Sequence, residues 1–184
     1  MYHVDVIRIP CRSPGDTTGL AGLIDSGRVA ATDIVAVMGK TEGNGCVNDY
    51  TREYATAMLA GCLGRYLGLE PAEVERRVAF VMSGGTEGVL SPHLTVFARK
   101  PAAAGAPAGQ KRMTIGIAFT RDFLPEEIGR RAQVEETALA VRRAMQDGGI
   151  AATDDVHFVQ VKCPLLTPTK IAQARARGCE PVTA

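Results

Sequence analysis

The sequence has 184 residues, of which 46% are hydrophobic, and a formal net charge of +1 at pH 7. A chain of this length can bury one sizeable core or two small ones, and its mixed charges form no basic face that would bind nucleic acid or an anionic membrane. No apolar run approaches the roughly 18 residues needed to span a bilayer. The amino terminus, MYHVDVIRIP, lacks a basic leader and a long apolar core. We therefore expect a cytoplasmic protein with no nucleic acid or membrane partner.

The first part of the chain alternates strand-like and helix-like segments, which is typical of an α/β domain. The hydrophobic patterns predict strands at 4–9, 34–38 and 78–82, and helices at 20–25, 50–67 and 72–76. Asp49 is predicted to cap the longest helix. The apolar residues of this helix at four-residue spacing are predicted to share one face: Tyr54, Met58, Cys62 and Tyr66.

A stretch rich in Ala, Gly and Pro, KPAAAGAPAGQKR, interrupts the alternation at 100–112 and predicts a linker. After it the alternation resumes, with strands predicted at 113–119 and 156–161 and a helix at 126–145. We therefore predict a first repeat unit at 1–103, a linker at 104–112, and the N-terminal part of a second repeat unit at 113–184.

The division into units rests on an internal repeat. SGRVAATDIVAVMGK, at 26–40, reappears as DGGIAATDDVHFVQVK at 147–162, and both copies end on a lysine, Lys40 and Lys162. The period is roughly 120 residues, and repeats of fixed period indicate one structural unit that is copied around an assembly. The chain would then hold about one and a half units.

Two glycines follow Ser83 at the end of a predicted buried strand. Glycine adopts positive φ, so the chain can leave the strand with its backbone N–H groups turned outward together, as in an anion-binding concavity. A planar carbonyl or an oxyanion would fit in that concavity. Ser83 is then either a nucleophile or part of a plain strand-end turn. The stretch differs from the G-x-S-x-G elbow of hydrolases, because Met82 precedes the serine.

A lysine at one strand end and a serine at the next suggest a Ser–Lys pair. Lys40 and Lys162 both follow apolar segments, which fits partial burial, and a buried lysine that loses its proton can activate a serine. The alternative for either residue is a solvated lysine at a strand end. Arg52 lies in the first turn of a helix, where the dipole disfavours cations; it either binds a carboxylate or carbonyl ligand, or pairs with Glu53 or Asp49.

Cysteine and histidine point to no metal site or disulfide framework. The 5 cysteines and 3 histidines are scattered, and none of them has metal-ligand spacing. Cys163 adjoins Lys162, but no histidine is placed to activate it. Thiols in a reducing compartment account for this pattern.

Several of these segments together resemble the cyanuric acid hydrolase/barbiturase family. The resemblance spans essentially the whole chain and is carried by RIPCRSPGDTTGL, DIVAVMGKTEGNGCVNDYTREYATAML, VAFVMSGGTEGVLSPH, GIAFTRDFLPEEIGR and FVQVKCPLLTP. It implies a fold of three α/β repeats around a pseudo-threefold axis, with sheets inside, helices outside and the active site at the centre. It also implies hydrolytic ring opening of cyanuric acid to carboxybiuret, which loses CO₂ to form biuret, within s-triazine degradation.

The resemblance assigns roles to individual residues. Arg52, Ser83 and Gly84 would bind a carbonyl edge of the substrate ring, with Lys40 as the supporting lysine of the first repeat. Lys162 would be the catalytic base for a serine of the second repeat that is not present in this sequence. The resemblance implies no cofactor for catalysis, a structural magnesium in the absent third repeat, and a homotetramer.

Two alternatives stay open at this point. A barbiturase-type enzyme would open a pyrimidine ring instead. A non-catalytic binding or assembly module would also fit, because the nucleophilic serine is missing and strand edges would be left unpaired.

Overall fold

The computed structural model describes residues 2–85, 88–102 and 112–182. The chain divides into two compact units, 1–115 and 116–184, and each is described by itself. The predicted linker at 104–112 lies outside the described residues except for Arg112. The repeat boundaries inferred from the sequence stay predictions.

One mixed sheet organises the first unit. Its strands are β1 (Tyr2–Pro10), β2 (Ile34–Lys40), β3 (Ala79–Ser83) and β4 (His93–Pro101), in the spatial order β1-β4-β2-β3. β4 runs antiparallel to β1 and β2, whereas β3 runs parallel to β2. The sequence patterns predicted β1, β2 and β3 to within a few residues but assigned no element to β4.

Three helices accompany this sheet: α1 (Thr18–Asp25), α2 (Thr51–Leu67) and α3 (Pro71–Glu75). α2 and α3 form the crossover connection from β2 to β3. Parallel strands need such a connection, because the end of the first strand and the start of the second lie at opposite ends of the strand pair. α2 ends at Gly68, which has a φ of 67° and serves as a left-handed cap. α3 begins with Pro71 at its first position, where the missing N–H costs nothing.

The core of the first unit lies between the sheet and α2. Its largest fully buried side chains include residues from β2, β4 and all three helices: Leu20, Val37, Leu59, Leu63, Val74, Val96 and Cys62. The buried side of α2 differs from the face predicted at four-residue spacing. Cys62 is buried, but Tyr54 is 47% exposed, Met58 39% and Tyr66 38%. Steps of four residues rotate about 40° around a helix, so a strict four-residue series leaves the buried stripe.

The second unit is helical in the part of the chain that the structure describes. It contains α4 (Arg131–Gly148) and α5 (Pro168–Ala176), with 3₁₀ turns at Pro125–Glu127 and Thr153–Asp155. α4 starts five residues later than predicted at 126, because the 3₁₀ turn occupies that position. α5 was not predicted; Thr167 caps it by accepting a hydrogen bond from the N–H of Lys170 at 3.3 Å. No described helix is long and apolar enough to cross a membrane.

The strands predicted at 113–119 and 156–161 were wrong for this structure, since neither segment is assigned as a strand. A strand exists only when a neighbouring strand accepts and donates its backbone hydrogen bonds, and no strand is described in 116–182. The apolar side chains of the second segment are accordingly solvent-exposed, with Phe158 75% and Val161 44% accessible.

Local structure partly reproduces the sequence repeat. In both copies a helix ends near a glycine of positive φ, Gly27 at 70° or Gly149 at 68°. A 3₁₀ turn then follows, at Ala31–Asp33 or Thr153–Asp155. The copies diverge after this turn, because only the first one continues into a strand.

An ion pair whose carboxylate also accepts a backbone hydrogen bond makes the stability of the second unit depend on pH. Arg121 donates to both carboxylate oxygens of Glu127 at 2.7 Å, and the Leu124 N–H donates at 2.8 Å. The hydrogen bonds from Arg121, followed by that from Leu124, lower the pKa of Glu127 to about 2. The pKa in the unfolded chain is about 4.3, so this stabilisation is complete above that value and is lost as the pH falls toward 2.

We therefore expect Glu127→Gln to reduce the acid-induced fall in Tm between pH 5 and pH 2. Thermal unfolding followed by circular dichroism across that range would measure it. Glu135→Gln is the matched control, because Glu135 also pairs with an arginine but its side chain is 60% exposed. If the Glu127→Gln profile parallels the wild-type profile, the ion pair does not contribute as described.

Candidate functional site

The site in the first unit is built on the register of two parallel strands. Lys40, the last residue of β2, is paired with Ser83, the last residue of β3. Paired residues of neighbouring strands project to the same face of the sheet, and the Lys40 Nζ donates to the Ser83 Oγ at 2.8 Å. The Ser83 hydroxyl in turn donates to the Gly84 carbonyl at 3.3 Å. The lysine and serine at these two strand ends therefore form a contact within the first unit.

Two glycine-rich segments meet beside this pair. The Gly85 N–H donates to the Gly43 carbonyl at 2.7 Å, and the Thr41 N–H donates to the Ser83 carbonyl at 2.8 Å. Gly45 and Gly85 have φ values of 71° and 76°, and a Cβ on Gly45 would lie 2.8 Å from the Gly85 Cα. Only glycine lets the two backbones approach this closely.

Arg52 is tied to the first of these segments. Its Nη2 donates to the Cys46 carbonyl at 2.5 Å, and its Nε lies 3.7 Å from the Asp49 Oδ2. Of the partners considered from sequence, Asp49 is therefore the one that pairs with Arg52. The guanidinium is half-buried, whereas the Asp49 side chain is fully buried, so this is not a surface ion pair. Arg52 can still present its remaining N–H groups to a planar acceptor.

Lys162 lies in the second unit and is exposed, in a segment that is neither helix nor strand. The partial burial inferred from the preceding apolar run is absent, since that run is itself exposed. Lys40, by contrast, is half-buried as expected. The site thus joins Lys40, Ser83, Gly84 and Arg52 within one unit, and Lys162 stands as a separate prediction.

Sequence reasoning missed two residues of this neighbourhood. His93 lies opposite Lys40 in the β2–β4 register, and its Nδ1 is 2.7 Å from the Ser91 carbonyl, a contact that places a proton on Nδ1. Its position became visible only once β4 was known.

Asp49 was interpreted as the cap of α2 or as a surface partner of Arg52. Tyr50 occupies the N-cap position instead, and the buried Asp49 accepts the Gly45 N–H at 2.9 Å. The two glycines that precede this acid, Gly43 and Gly45, were the available signal.

Comparison with known proteins identifies the family to which this chain belongs. The family model described as "Amidohydrolase ring-opening protein" matches residues 5–184. The chain belongs to this family of ring-opening amidohydrolases. The resemblance identified from the sequence segments is thereby confirmed.

Individual ring-opening amidohydrolases match the chain closely. A protein of Pseudomonas sp. (strain ADP) named cyanuric acid amidohydrolase is 79% identical over 100% of this chain and 50% of its own length. One of the same name from Bradyrhizobium diazoefficiens is 59% identical over 98% of this chain and 49% of its own length. A solved structure presented as "Cyanuric acid hydrolase: evolutionary innovation by structural concatenation" has a TM-score of 0.96 and 77% identity, over 100% of this chain and 50% of the solved chain.

The chain therefore spans about half the length of the curated relatives it matches. An α/β unit that forms part of a longer, concatenated fold agrees with the predicted fold class. Which residues bind or react with a substrate stays a prediction that rests on the geometry above.

Proposed function

We propose that this chain forms part of the active site of a cyanuric acid amidohydrolase, which opens the cyanuric acid ring by hydrolysing an amide bond. The observation that carries the proposal is the 79% identity over the whole chain to a protein of that name. The Lys40–Ser83 hydrogen bond at 2.8 Å supports it, because a hydroxyl held by a lysine is suited to engage an amide carbonyl.

In this proposal the first unit binds the ring rather than attacking it. Because the Lys40 amine donates to the Ser83 Oγ, the hydroxyl proton of Ser83 is directed to another acceptor, which is the Gly84 carbonyl at 3.3 Å. A ring carbonyl can replace that acceptor. The planar fork of Arg52 suits the same edge of the ring, and a ligand that is anionic near neutral pH is favoured beside these cations.

The chemical step is assigned to Lys162 and a serine outside this sequence. Neutral Lys162 takes the serine proton, and the serine oxygen bonds to a ring carbonyl carbon. The C–N bond of that carbonyl then breaks and the departing nitrogen takes up the proton that Lys162 received from the serine. Water then hydrolyses the acyl-enzyme to carboxybiuret and returns a proton to the serine oxygen. Loss of CO₂ gives biuret. Backbone N–H groups at a turn like that after Met82 would stabilise the oxyanion.

The remaining expectations are part of the same proposal: a role in s-triazine degradation, a cytoplasmic location and a homotetramer. The structural magnesium implied by the resemblance belongs to a repeat outside this sequence. Among the described residues, no three His, Cys, Asp or Glu side chains are grouped so that they could hold a metal ion.

The proposal is tested by assaying the full-length protein with cyanuric acid and with barbituric acid, following ring opening by loss of ultraviolet absorbance. We expect cyanuric acid to be preferred in kcat/KM by on the order of 10²-fold or more, since a site that hydrogen-bonds a ring N–H discriminates against a CH₂ group. Preference for barbituric acid would favour the barbiturase alternative.

In the same assay Ser83→Ala should lower kcat/KM by on the order of 10- to 100-fold through loss of a hydrogen bond to the substrate. Ser91→Ala is the control, because this exposed serine contacts His93 through its backbone carbonyl, which alanine retains. Equal activity of the two variants would remove Ser83 from the site.

A further inference from the structure

Among the described residues, Asp49 is the one buried residue with a charged side chain. Its side chain has 0% exposure, and the other buried polar residues described are threonines: Thr41, Thr51 and Thr56. A buried carboxylate is costly unless every oxygen has partners. The contacts of Asp49 must therefore offset the free-energy cost of burying its carboxylate.

Both carboxylate oxygens of Asp49 are used, and they face different segments. Oδ1 accepts the Thr51 N–H at 3.0 Å and the Thr51 hydroxyl at 2.5 Å, at the start of α2. Oδ2 accepts the Gly45 N–H at 2.9 Å and lies 3.7 Å from the Arg52 Nε. One side chain thus connects the glycine loop, the first turn of α2 and the Arg52 guanidinium.

The Asp49 carboxylate occupies space that is open only because two neighbouring residues are glycines. A Cβ on Gly43 would collide with the Asp49 Oδ1, and a Cβ on Gly84 would collide with the Asp49 Oδ2 and lie 2.7 Å from the Gly43 carbonyl oxygen. Asp49 therefore packs directly against Gly84, next to Ser83. Its contacts extend from Arg52 on one side to Gly84, directly after β3, on the other.

The charge of Asp49 is maintained in this environment. Burial raises the pKa of the carboxyl group, but the hydrogen bonds from the Thr51 side chain and from the Gly45 and Thr51 N–H groups, together with the charge of Arg52, outweigh burial and leave the pKa below its usual value. An ionised Asp49 is a stronger acceptor for the guanidinium and the two N–H groups than a neutral acid would be.

We propose that Asp49 is a positioning residue of this site, whose carboxylate holds Arg52 and the Gly43–Gly45 loop in fixed places beside Ser83 and Gly84. This inference rests on the proposed function, because Arg52 is there a substrate-binding group. Asp49 acts through Arg52 and the loop and does not itself contact the substrate.

The test compares Asp49→Asn with Glu53→Gln in the full-length protein. Asparagine keeps the shape of the side chain but has a single acceptor oxygen, so either Gly45 or Thr51 loses its partner and the guanidinium loses its counter-charge. Glu53→Gln removes one negative charge from the same turn, at an exposed position. We expect the KM for cyanuric acid to rise by on the order of 10- to 100-fold in Asp49→Asn, with a smaller change in kcat, and to stay unchanged in Glu53→Gln.

A double-mutant comparison separates positioning from general destabilisation. If Asp49 acts through Arg52, then adding Asp49→Asn to Arg52→Ala changes kcat/KM little beyond Arg52→Ala alone. Fully additive losses would overturn the proposal, as would an unchanged KM in Asp49→Asn. Should Asp49→Asn fail to fold, Thr51→Val removes the hydroxyl that contacts Oδ1 and the Thr41 Oγ1, and a KM increase of several-fold is expected from it.

Hydrogen–deuterium exchange of residues 43–52 provides a readout that does not need turnover. Faster exchange in Asp49→Asn than in Glu53→Gln supports the positioning role, and equal exchange overturns it. If the wild-type protein does not hydrolyse cyanuric acid, the proposed function fails, and the exchange comparison still decides whether Asp49 holds the loop.

Discussion

Replacement of Lys162 by alanine in the full-length protein is expected to lower kcat for cyanuric acid hydrolysis by about 10²- to 10⁴-fold, the range over which a positioned general base contributes. The KM should change less, because Lys162 is proposed to act on the serine proton rather than on the ring. Steady-state kinetics at saturating cyanuric acid would measure the loss.

Two further variants make this result specific. Lys162→Arg places a permanent positive charge at this position but cannot supply a neutral base, so it should be as impaired as Lys162→Ala. Lys170→Ala removes a lysine of the same unit that donates to the Leu165 carbonyl at 3.2 Å, and it should retain activity. High activity in Lys162→Arg would show that only charge is needed at this position, and the base would have to be another group.

The second large effect concerns the stability of the first unit. Leu63→Ala should lower the free energy of unfolding by about 2–5 kcal/mol, because the Leu63 side chain is fully buried between α2 and the sheet and its truncation leaves a cavity. Urea unfolding of the chain, followed by circular dichroism at 222 nm, would measure the change.

Met58→Ala is the matched control on the same helix. Met58 is 39% exposed, so its truncation should cost less than about 1 kcal/mol. This pair of variants also discriminates between the two assignments of the α2 face. The four-residue series predicted from the sequence would make Met58 the costlier truncation, and that result would contradict the structure.

The first unit was largely predictable because its elements carry local signals. β1 and β2 are short apolar or alternating runs. Pro71 in the first turn of α3 indicates where that helix begins. β4 carries a signal too: Leu94, Val96 and Ala98 are buried at alternate positions. Its end overlaps the Ala-, Gly- and Pro-rich stretch, which begins at Lys100, a residue that in the structure still belongs to the strand.

The second unit was less predictable because strand formation depends on partners far along the chain. The run 156–161 has the apolar composition of a strand, but composition cannot supply the neighbouring backbone that accepts its hydrogen bonds. α5 was missed for a different reason. Its capping threonine and Pro168 are clear start signals, but α5 carries no pronounced apolar face, so periodicity gave no helix signal.

The candidate site was predictable in its residues and only partly in its arrangement. The internal repeat and the strand ends pointed to Lys40 and Ser83, and their contact follows from adjacent parallel strands. The Arg52–Asp49 pair was one of the alternatives from the sequence. The contact of Asp49 with the glycine segments could not be predicted, because it depends on how closely the backbones at Gly43 and Gly84 approach. Tertiary packing sets the distance between these two backbones. The only sign of it in the sequence is that both positions are glycine.

Lys40 and Ser83 meet because they are paired in the β2–β3 register. The site therefore depends on the number of residues in each strand, whereas a site carried on loops does not. Inserting or deleting one residue within Ile34–Lys40 or Ala79–Ser83 would turn one of the two side chains to the opposite face of the sheet and separate them. The α2–α3 crossover between these strands can change in length without altering their alignment. Variation in this lineage should therefore accumulate as insertions in the part of the connection after Arg52, and the lengths of the two strands should stay fixed.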